Sequence, residues 1–308
     1  MTTKFTFLFP GQGSQKVGMG KDIYDAFTNV KALYKLADTT LQKPISDITF
    51  NGPEETLTQT ENTQPALFLV SAAIFNCLTE KGIFPTTVAG HSLGELTAYY
   101  AAGATTLEDT LELICKRGTE MAKSHPSETS AMAAIMGKTE SELTELLNPF
   151  KNKPLVLANI NCPGQIVISG DKKALEEATP ILKENKAKVI PLKVSGAFHS
   201  PLMINASKAL ETYTQTLTIK NADIPIILNR LGTAETQAEA LRKNISQQVI
   251  SSVYWTKTIL EADANTDVFV ECGSGRVLSG LYKKIGLTKP MHSISNKESL
   301  DAFLSEYQ

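Results

Sequence analysis

The sequence predicts an α/β fold: a large, hydrolase-like domain with a mostly parallel sheet and a nucleophile elbow, carrying an inserted ferredoxin-like small domain. Three observations predict it. Residues 90–95 read GHSLGE and follow the apolar run Thr86-Thr87-Val88-Ala89, with a helix-like stretch after them; a Gly-x-Ser-x-Gly serine between strand and helix is the elbow pattern. From Ser130 the pattern runs strand, helix, strand, strand, helix, strand, the βαββαβ order of a ferredoxin-like unit. The length of 308 residues exceeds the usual size of one compact domain, so an insertion is expected. The implied domains are 1–128 with 195–308, and 129–194.

Residues 5–9, Phe-Thr-Phe-Leu-Phe, form a buried-strand pattern stopped by Pro10 and Gly11. The glycines that follow do not make a nucleotide loop. A dinucleotide fingerprint needs glycine where Lys16 sits, and the phosphate-loop pattern fails because Asp22 follows Lys21. What remains is Gln12 on a loop at the strand end, the edge where ligands bind in open parallel sheets. Its amide facing Ser92 and a plain turn are both open readings. Residues 22–41 and 64–80 have helical periodicity, with Pro65 near a helix start. Residues 107–123 read as an amphipathic helix with Arg117 and Met121 on one face. By local pattern alone Arg117 is a solvent-facing cation near a helix end, and Met121 is core packing.

In the small domain, strands are expected at 131–136, 155–161, 165–170 and 188–194, and helices at 140–147 and 173–184. Pro163-Gly164 supplies the hairpin turn. Asn159 and Asn161 lie on the strand leading into it, and the local pattern gives Asn161 a turn role. After this unit comes His199, in a loop flanked by small residues. The tail reads as a strand at 225–229, a helix at 238–250, a strand at 267–271, and Gly273-Ser274-Gly275 leading into a last helix.

The chemistry gathers on Ser92. Its oxygen is expected at the crest of a sharp turn that Gly90 and Gly94 make passable, with a helix N-terminus aimed where acyl negative charge develops. Of the four histidines, His199 is the best base. His91 belongs to the turn itself, and His125 beside Pro126 is read as a helix-end residue. His292 is the rival, because Ser92, Asp267 and His292 follow the chain order of an α/β-hydrolase triad.

Composition excludes other classes. With 30 basic and 32 acidic residues and a net charge of −2, no bulk charge favours nucleic acid or membrane binding. Four scattered cysteines form no C-x-x-C pair, which argues against a local zinc or redox site and for reduced thiols in a cytoplasmic protein. The apolar run at 5–9 is too short for a signal segment, and no run spans a bilayer.

Several spaced motifs together resemble the malonyl-CoA:acyl carrier protein transacylase family, nearly end to end. They are FPGQGSQ at 9–15, TQPA at 63–66, GHSLGE around Ser92, RG at Arg117-Gly118, and PGQIVISG at 163–170. Further on come GAFHS ending at Ser200, Gln248 shortly before Trp255, and ECGSGRVLSGL at 271–281. The resemblance implies a malonyl carrier with Ser92 as nucleophile and His199 as base. It also implies an oxyanion hole from the amides of Leu93 and Gln12, and Gln248 orienting the histidine through its carbonyl. Arg117 is implied to grip the malonyl carboxylate, with Gln64, Met121, Asn161 and Phe198 in the cleft. Phe198 is expected to crowd an α-methyl branch. No triad acid is needed, since the leaving thiol has a pKa of ~8.5.

Malonyl-CoA and an acyl carrier protein are the implied partners of what is expected to be a monomer; no cofactor or metal is implied. Lys183, Lys186, Lys188 and Lys193 are candidates to attract the acidic carrier. Gly-Ala-Phe-His at 196–199 is more like the discrete acyltransferases of polyketide assembly than the fatty-acid type. The alternative function is an acyl-thioester hydrolase on the same scaffold, whose known members lose the arginine kept here as Arg117. A non-enzymatic binding module with a degenerate site is disfavoured by the full set of site residues. Activity is expected to rise near pH ~6.5 if His199 titrates normally.

Overall fold

The computed structural model describes residues 2–124, 128–194 and 196–308. Among the described residues ten strands form two sheets: β1 (Phe5–Phe9), β2 (Pro85–Gly90), β3 (Ser130–Met136), β4 (Leu155–Cys162), β5 (Gln165–Asp171), β6 (Lys188–Pro191), β7 (Ile226–Leu228), β8 (Thr233–Glu235), β9 (Val268–Cys272) and β10 (Met291–Ile294). The larger sheet has the order β10-β9-β1-β2-β7-β8. All its neighbours are parallel except the β7–β8 hairpin. Every residue of β1 is buried, as expected of a central parallel strand covered by helices on both faces. The chain is thus α/β with a mixed, mostly parallel sheet and a separate antiparallel one.

The smaller sheet has the order β4-β5-β3-β6, antiparallel throughout. Two helices, Glu140–Leu147 and Lys172–Glu184, cover it, and their Leu143, Ala174, Ala178 and Leu182 join Ile135 and Ile168 in its own apolar cluster. The two sheets are stitched together where β4 passes residues 252–253. There Ile160 N–H donates to the Val253 carbonyl and Val253 N–H to the Ala158 carbonyl, each at 2.8 Å. This stitch carries the end of β4, with Asn161, to the carboxyl edge of the large sheet.

Several boundaries differ from the sequence reading. The helix expected over 22–41 is two, Lys21–Ala26 and Thr28–Leu41, because Phe27 is extended (φ −122°, ψ 124°) and packs against the large core. The helix containing Pro65 starts at Thr60. Strand β6 ends at Pro191 rather than 194, with one further backbone bond to β3 beyond it, from Leu192 N–H to the Met132 carbonyl at 2.9 Å. The helix from Ala238 stops at Gln248. The helix after Gly275, Val277–Ile285, is not the last; β10 and the helix Lys297–Tyr307 follow. Strand β10 is four residues at a sheet edge and includes His292 and Ser293, so no apolar run announced it. The reading of His125 as a helix-end residue lies outside the described residues. Among the described residues no helix is long and apolar enough to cross a membrane.

Candidate active site

Ser92 joins β2 to the helix Leu93–Ala101 with φ 53° and ψ −102°, a sparsely populated conformation that costs ~1–3 kcal/mol. The turn is tight enough to dictate its flanking residues. A Cβ on Gly90 would lie 1.9 Å from the Gly94 carbonyl carbon, and one on Gly94 would lie 2.0 Å from the Phe9 oxygen. The second contact shows how closely the turn sits on the end of β1, where His91 N–H also donates to the Phe9 carbonyl at 2.9 Å.

Ser92 Oγ is 2.7 Å from His199 Nε2. The other ring nitrogen, Nδ1, faces the carbonyls of Gln248 and Ser251 at 3.0 and 3.2 Å. Carbonyls only accept, so Nδ1 carries the hydrogen and Nε2 is left to accept from the serine. The carbonyl of Gln248 can reach the ring because the residue ends its helix, where the last carbonyls lack intrahelical partners; it also accepts from Ser251 N–H at 3.2 Å. Burial holds the His199 pKa down to about 3, helped by the Arg117 charge and opposed by the Gln248 and Ser251 carbonyls. The imidazole is therefore neutral across the physiological range. The rise in activity expected near pH ~6.5 rested on an unperturbed histidine, and this burial removes its basis.

Arg117 is the largest departure from local pattern. It is not a solvent-facing cation but 1 % exposed, on the inward face of the helix Leu107–Ser124. Its Nη2 donates to Ser92 Oγ at 3.1 Å and to Gln248 Oε1 at 2.8 Å, and its Nη1 donates to Gln64 Oε1 at 2.9 Å. Nε is buried with no partner among the described residues. Burial pulls the guanidinium pKa down to about 10, while Glu95 works in the opposite direction; the group stays charged at neutrality.

A cavity of about 460 Å³ opens over these groups. Gln12, Gln64, Leu93, Met121, Asn161 and Phe198 line it. Gln64 Nε2 lies 3.7 Å from Met121 Sδ, so those two expected cleft residues touch. Asn161 has no turn role: it lies within β4, one residue before its end, and its Oδ1 meets His91 Nε2 at 2.8 Å. The Gln12 side chain donates to Thr60 Oγ1 at 3.2 Å. Gln248 does more than its carbonyl suggests, because its side-chain Nε2 also donates to the Ser92 carbonyl at 2.9 Å. Lys193 is on the cavity rim, and Lys183, Lys186 and Lys188 are exposed on the small-sheet unit.

His292 is not brought in. It lies on edge strand β10, with β9 and β1 between it and β2, and pairs with Tyr307 OH at 3.2 Å. Asp267 accepts from Lys4 N–H instead. The alternative triad therefore has no geometric basis.

Sequence reasoning missed three polar residues beneath the serine. Glu95, Asn229 and Asn244 are buried. Burial raises the Glu95 carboxyl to about 7, against the pull of the Asn229 amide, the Asn244 and Gln248 side chains and the Arg117 charge. An acid inside an otherwise apolar buried helix was the available signal for Glu95; Asn229 and Asn244 carried none.

A hydroxyl paired with a neutral imidazole and faced by a guanidinium is the equipment of an enzyme that handles acyl groups. The family described as Acyl transferase domain matches residues 6–284. The chain is 41 % identical over 303 residues to the malonyl CoA-acyl carrier protein transacylase of Bacillus subtilis (strain 168), covering 97 % of this chain and 96 % of that one. It is 37 % identical over 302 residues to the protein of the same name from Staphylococcus aureus (strain MRSA252), covering 97 % of both. Among solved structures, an acyl-carrier-protein-S-malonyltransferase from Bartonella henselae superposes with a TM-score of 0.95 at 35 % identity over 99 % of both chains. A malonyl-transacylase solved with its type II PKS acyl-carrier protein gives a TM-score of 0.95 at 34 % identity, over 99 % of this chain and 100 % of that one. The chain belongs to the acyl transferase domain family, among the malonyl-CoA:acyl carrier protein transacylases.

Proposed function

We propose that the protein moves malonyl groups from malonyl-CoA to the phosphopantetheine thiol of an acyl carrier protein, for fatty-acid or polyketide synthesis, through an ester on Ser92. The contact that carries this reading is Ser92 Oγ shared between His199 Nε2 at 2.7 Å and Arg117 Nη2 at 3.1 Å. As Oγ attacks the thioester carbon, its proton passes to Nε2. The oxyanion is met by the amides of Gln12 and Leu93, with the helix N-terminus behind it. Collapse breaks the carbon–sulfur bond, and the departing CoA thiolate takes the proton back from His199. The incoming pantetheine thiol then gives its proton to Nε2 and attacks the ester carbon; the carbon–Oγ bond breaks and Nε2 passes the proton to Oγ, returning Ser92 as a free hydroxyl. No electrons change hands, so no redox cofactor is required.

The guanidinium supplies selectivity. Malonate presents a free carboxylate, and the unpartnered Nε of Arg117 is a donor left over for one. A carboxylate there also offsets the positive charge that opposes protonation of His199, so the cargo assists its own transfer. On this reading the turn at 90–94 is a nucleophile elbow. Residues 129–194 are a ferredoxin-like domain inserted into a catalytic domain made of 1–128 and 195–308. The exposed lysines at 183, 186, 188 and 193 face the acidic carrier, and a monomer suffices because one chain supplies every group named.

Intact-mass measurement tests the proposal. Mixing with malonyl-CoA should add one malonyl group, mapped to Ser92 and absent in Ser92→Ala, and adding carrier protein should move it to the pantetheine arm. Loss of the adduct to water at the same rate with or without carrier protein would identify a hydrolase instead.

A further inference from the structure

Ser92 occupies the N-cap position of its helix, where a serine side chain ordinarily turns to bond an amide of the first turn. Here it makes no such bond, because Oγ is given to His199. The strained turn therefore needs a different clamp, and Asn229, just past β7, provides one. Its Oδ1 accepts from Ser92 N–H at 2.7 Å and its Nδ2 donates to the Gly90 carbonyl at 2.7 Å, so one side chain spans the turn from the end of β2 to the serine.

Asn229 is itself anchored. Its backbone N–H donates to Glu95 Oε2, and Glu95 Oε1 accepts from Asn244 Nδ2 at 2.6 Å. Glu95 is the third residue of the helix, the position from which a carboxylate normally reaches back to the N-cap amide in a capping box. In this chain the carboxylate grips Asn229, and Asn229 grips the amide. The box is kept with one residue interposed, and the serine side chain is released from it. All three residues are buried, Asn229 completely.

We propose that Asn229, held by Glu95, is a positioning residue that fixes Ser92 in its strained conformation and keeps Oγ aimed at His199. This rests on Ser92 being the acylated residue, and the controls separate the two: a wild-type enzyme that takes no malonyl group defeats the function, not the clamp.

The test measures single-turnover acylation by malonyl-CoA in Asn229→Ala and Asn229→Asp. Calorimetry measures malonyl-CoA affinity for the same substitutions in a Ser92→Ala background, where no ester forms. Removing one partner from a buried hydrogen bond corresponds to about a 10- to 100-fold effect. The expected result is acylation slowed by about that factor in Asn229→Ala with affinity held within about twofold. Asn229→Asp keeps an acceptor for the Ser92 amide and supplies a donor to Gly90 only when protonated, so its rate relative to wild type should recover as pH falls. Acylation within about threefold of wild type in a folded Asn229→Ala would overturn the proposal, as would affinity falling in step with rate. If Asn229→Ala does not fold, Asn229→Asp carries the same criteria. Failure of both to fold would also overturn it, assigning Asn229 to the fold as a whole.

Discussion

Replacing Arg117 with alanine separates what the guanidinium holds in the structure from the role proposed for it. The first is structural and common to every acyl group: Gln64 Oε1 and Gln248 Oε1 lose their donor, and buried acceptors left without one each cost ~1–3 kcal/mol. The second is specific to malonyl. Hydrogen bonds to a charged partner are worth ~1.5–3 kcal/mol each, and a bidentate grip uses two, so malonyl transfer should lose about 3–6 kcal/mol beyond the shared damage. Water solvating the exposed carboxylate recovers part of this, leaving a shift of about 10²- to 10³-fold in the malonyl-to-acetyl ratio of kcat/KM.

The sign for acetyl is informative. Acetyl has no carboxylate to offset Arg117, so in the native enzyme the cation opposes protonation of His199 throughout the acetyl reaction. Removing the charge removes that opposition, and acetyl transfer should fall much less than malonyl transfer. Arg117→Lys should lie between, since an ammonium keeps the charge and loses the planar fork. The assay is competitive: equal malonyl-CoA and acetyl-CoA, with Ser92 adducts counted by intact mass at early times. Equal proportional losses of both adducts in Arg117→Ala would refute the clamp.

Three further outcomes follow from distances and burial already given. Because His199 is held near a pKa of about 3, its base form is complete well below neutrality, so kcat/KM should show no His199 inflection between pH ~5 and ~8. Glu95, raised to about 7, is the other nearby group that titrates there, so a step near pH ~6.5 that survives in Glu95→Gln would contradict the depressed histidine. Phe198 is 6 % exposed and lines the cavity, and Phe198→Ala should raise methylmalonyl relative to malonyl transfer by roughly tenfold, about what one methyl group decides in a pocket; an unchanged ratio in competition assays would show that the ring does not gate the branch. Gly94→Ala places a methyl 2.0 Å from the Phe9 oxygen and should destabilise the fold at or above the upper end of the ~1–3 kcal/mol overpacking range in urea titrations; a change below ~0.5 kcal/mol would show the turn to be looser than described.

How far this was legible in the sequence divides by range of interaction. Strand β1 and the helix Glu140–Leu147 match their predicted bounds, because five consecutive buried residues and a Thr139 capping box state their structure locally. Phe27 broke a helix that periodicity joined, because its packing against a distant core overrode a pattern compatible with continuous helix. Strand β10 was missed for a related reason: a short edge strand is held by pairing with β9, and pairing leaves little mark on the strand's own residues.

The site repeats that division with a chemical twist. Ser92 and its glycines were readable because a tight turn restricts residue types within five positions. Arg117 was not, since nothing around it in sequence says that its helix face is buried; only the motif resemblance gave the arginine a reason. Asn229 was invisible to both, being a single amide 137 residues from the serine whose N–H it holds. A nucleophile signals itself by the strain its neighbours must permit, whereas the group that maintains the strain needs only the right reach, and reach is a property of the folded chain. Polar residues buried beneath a strained turn, rather than those lining its cavity, are therefore where sequence reading of this fold falls shortest and where substitution is most informative.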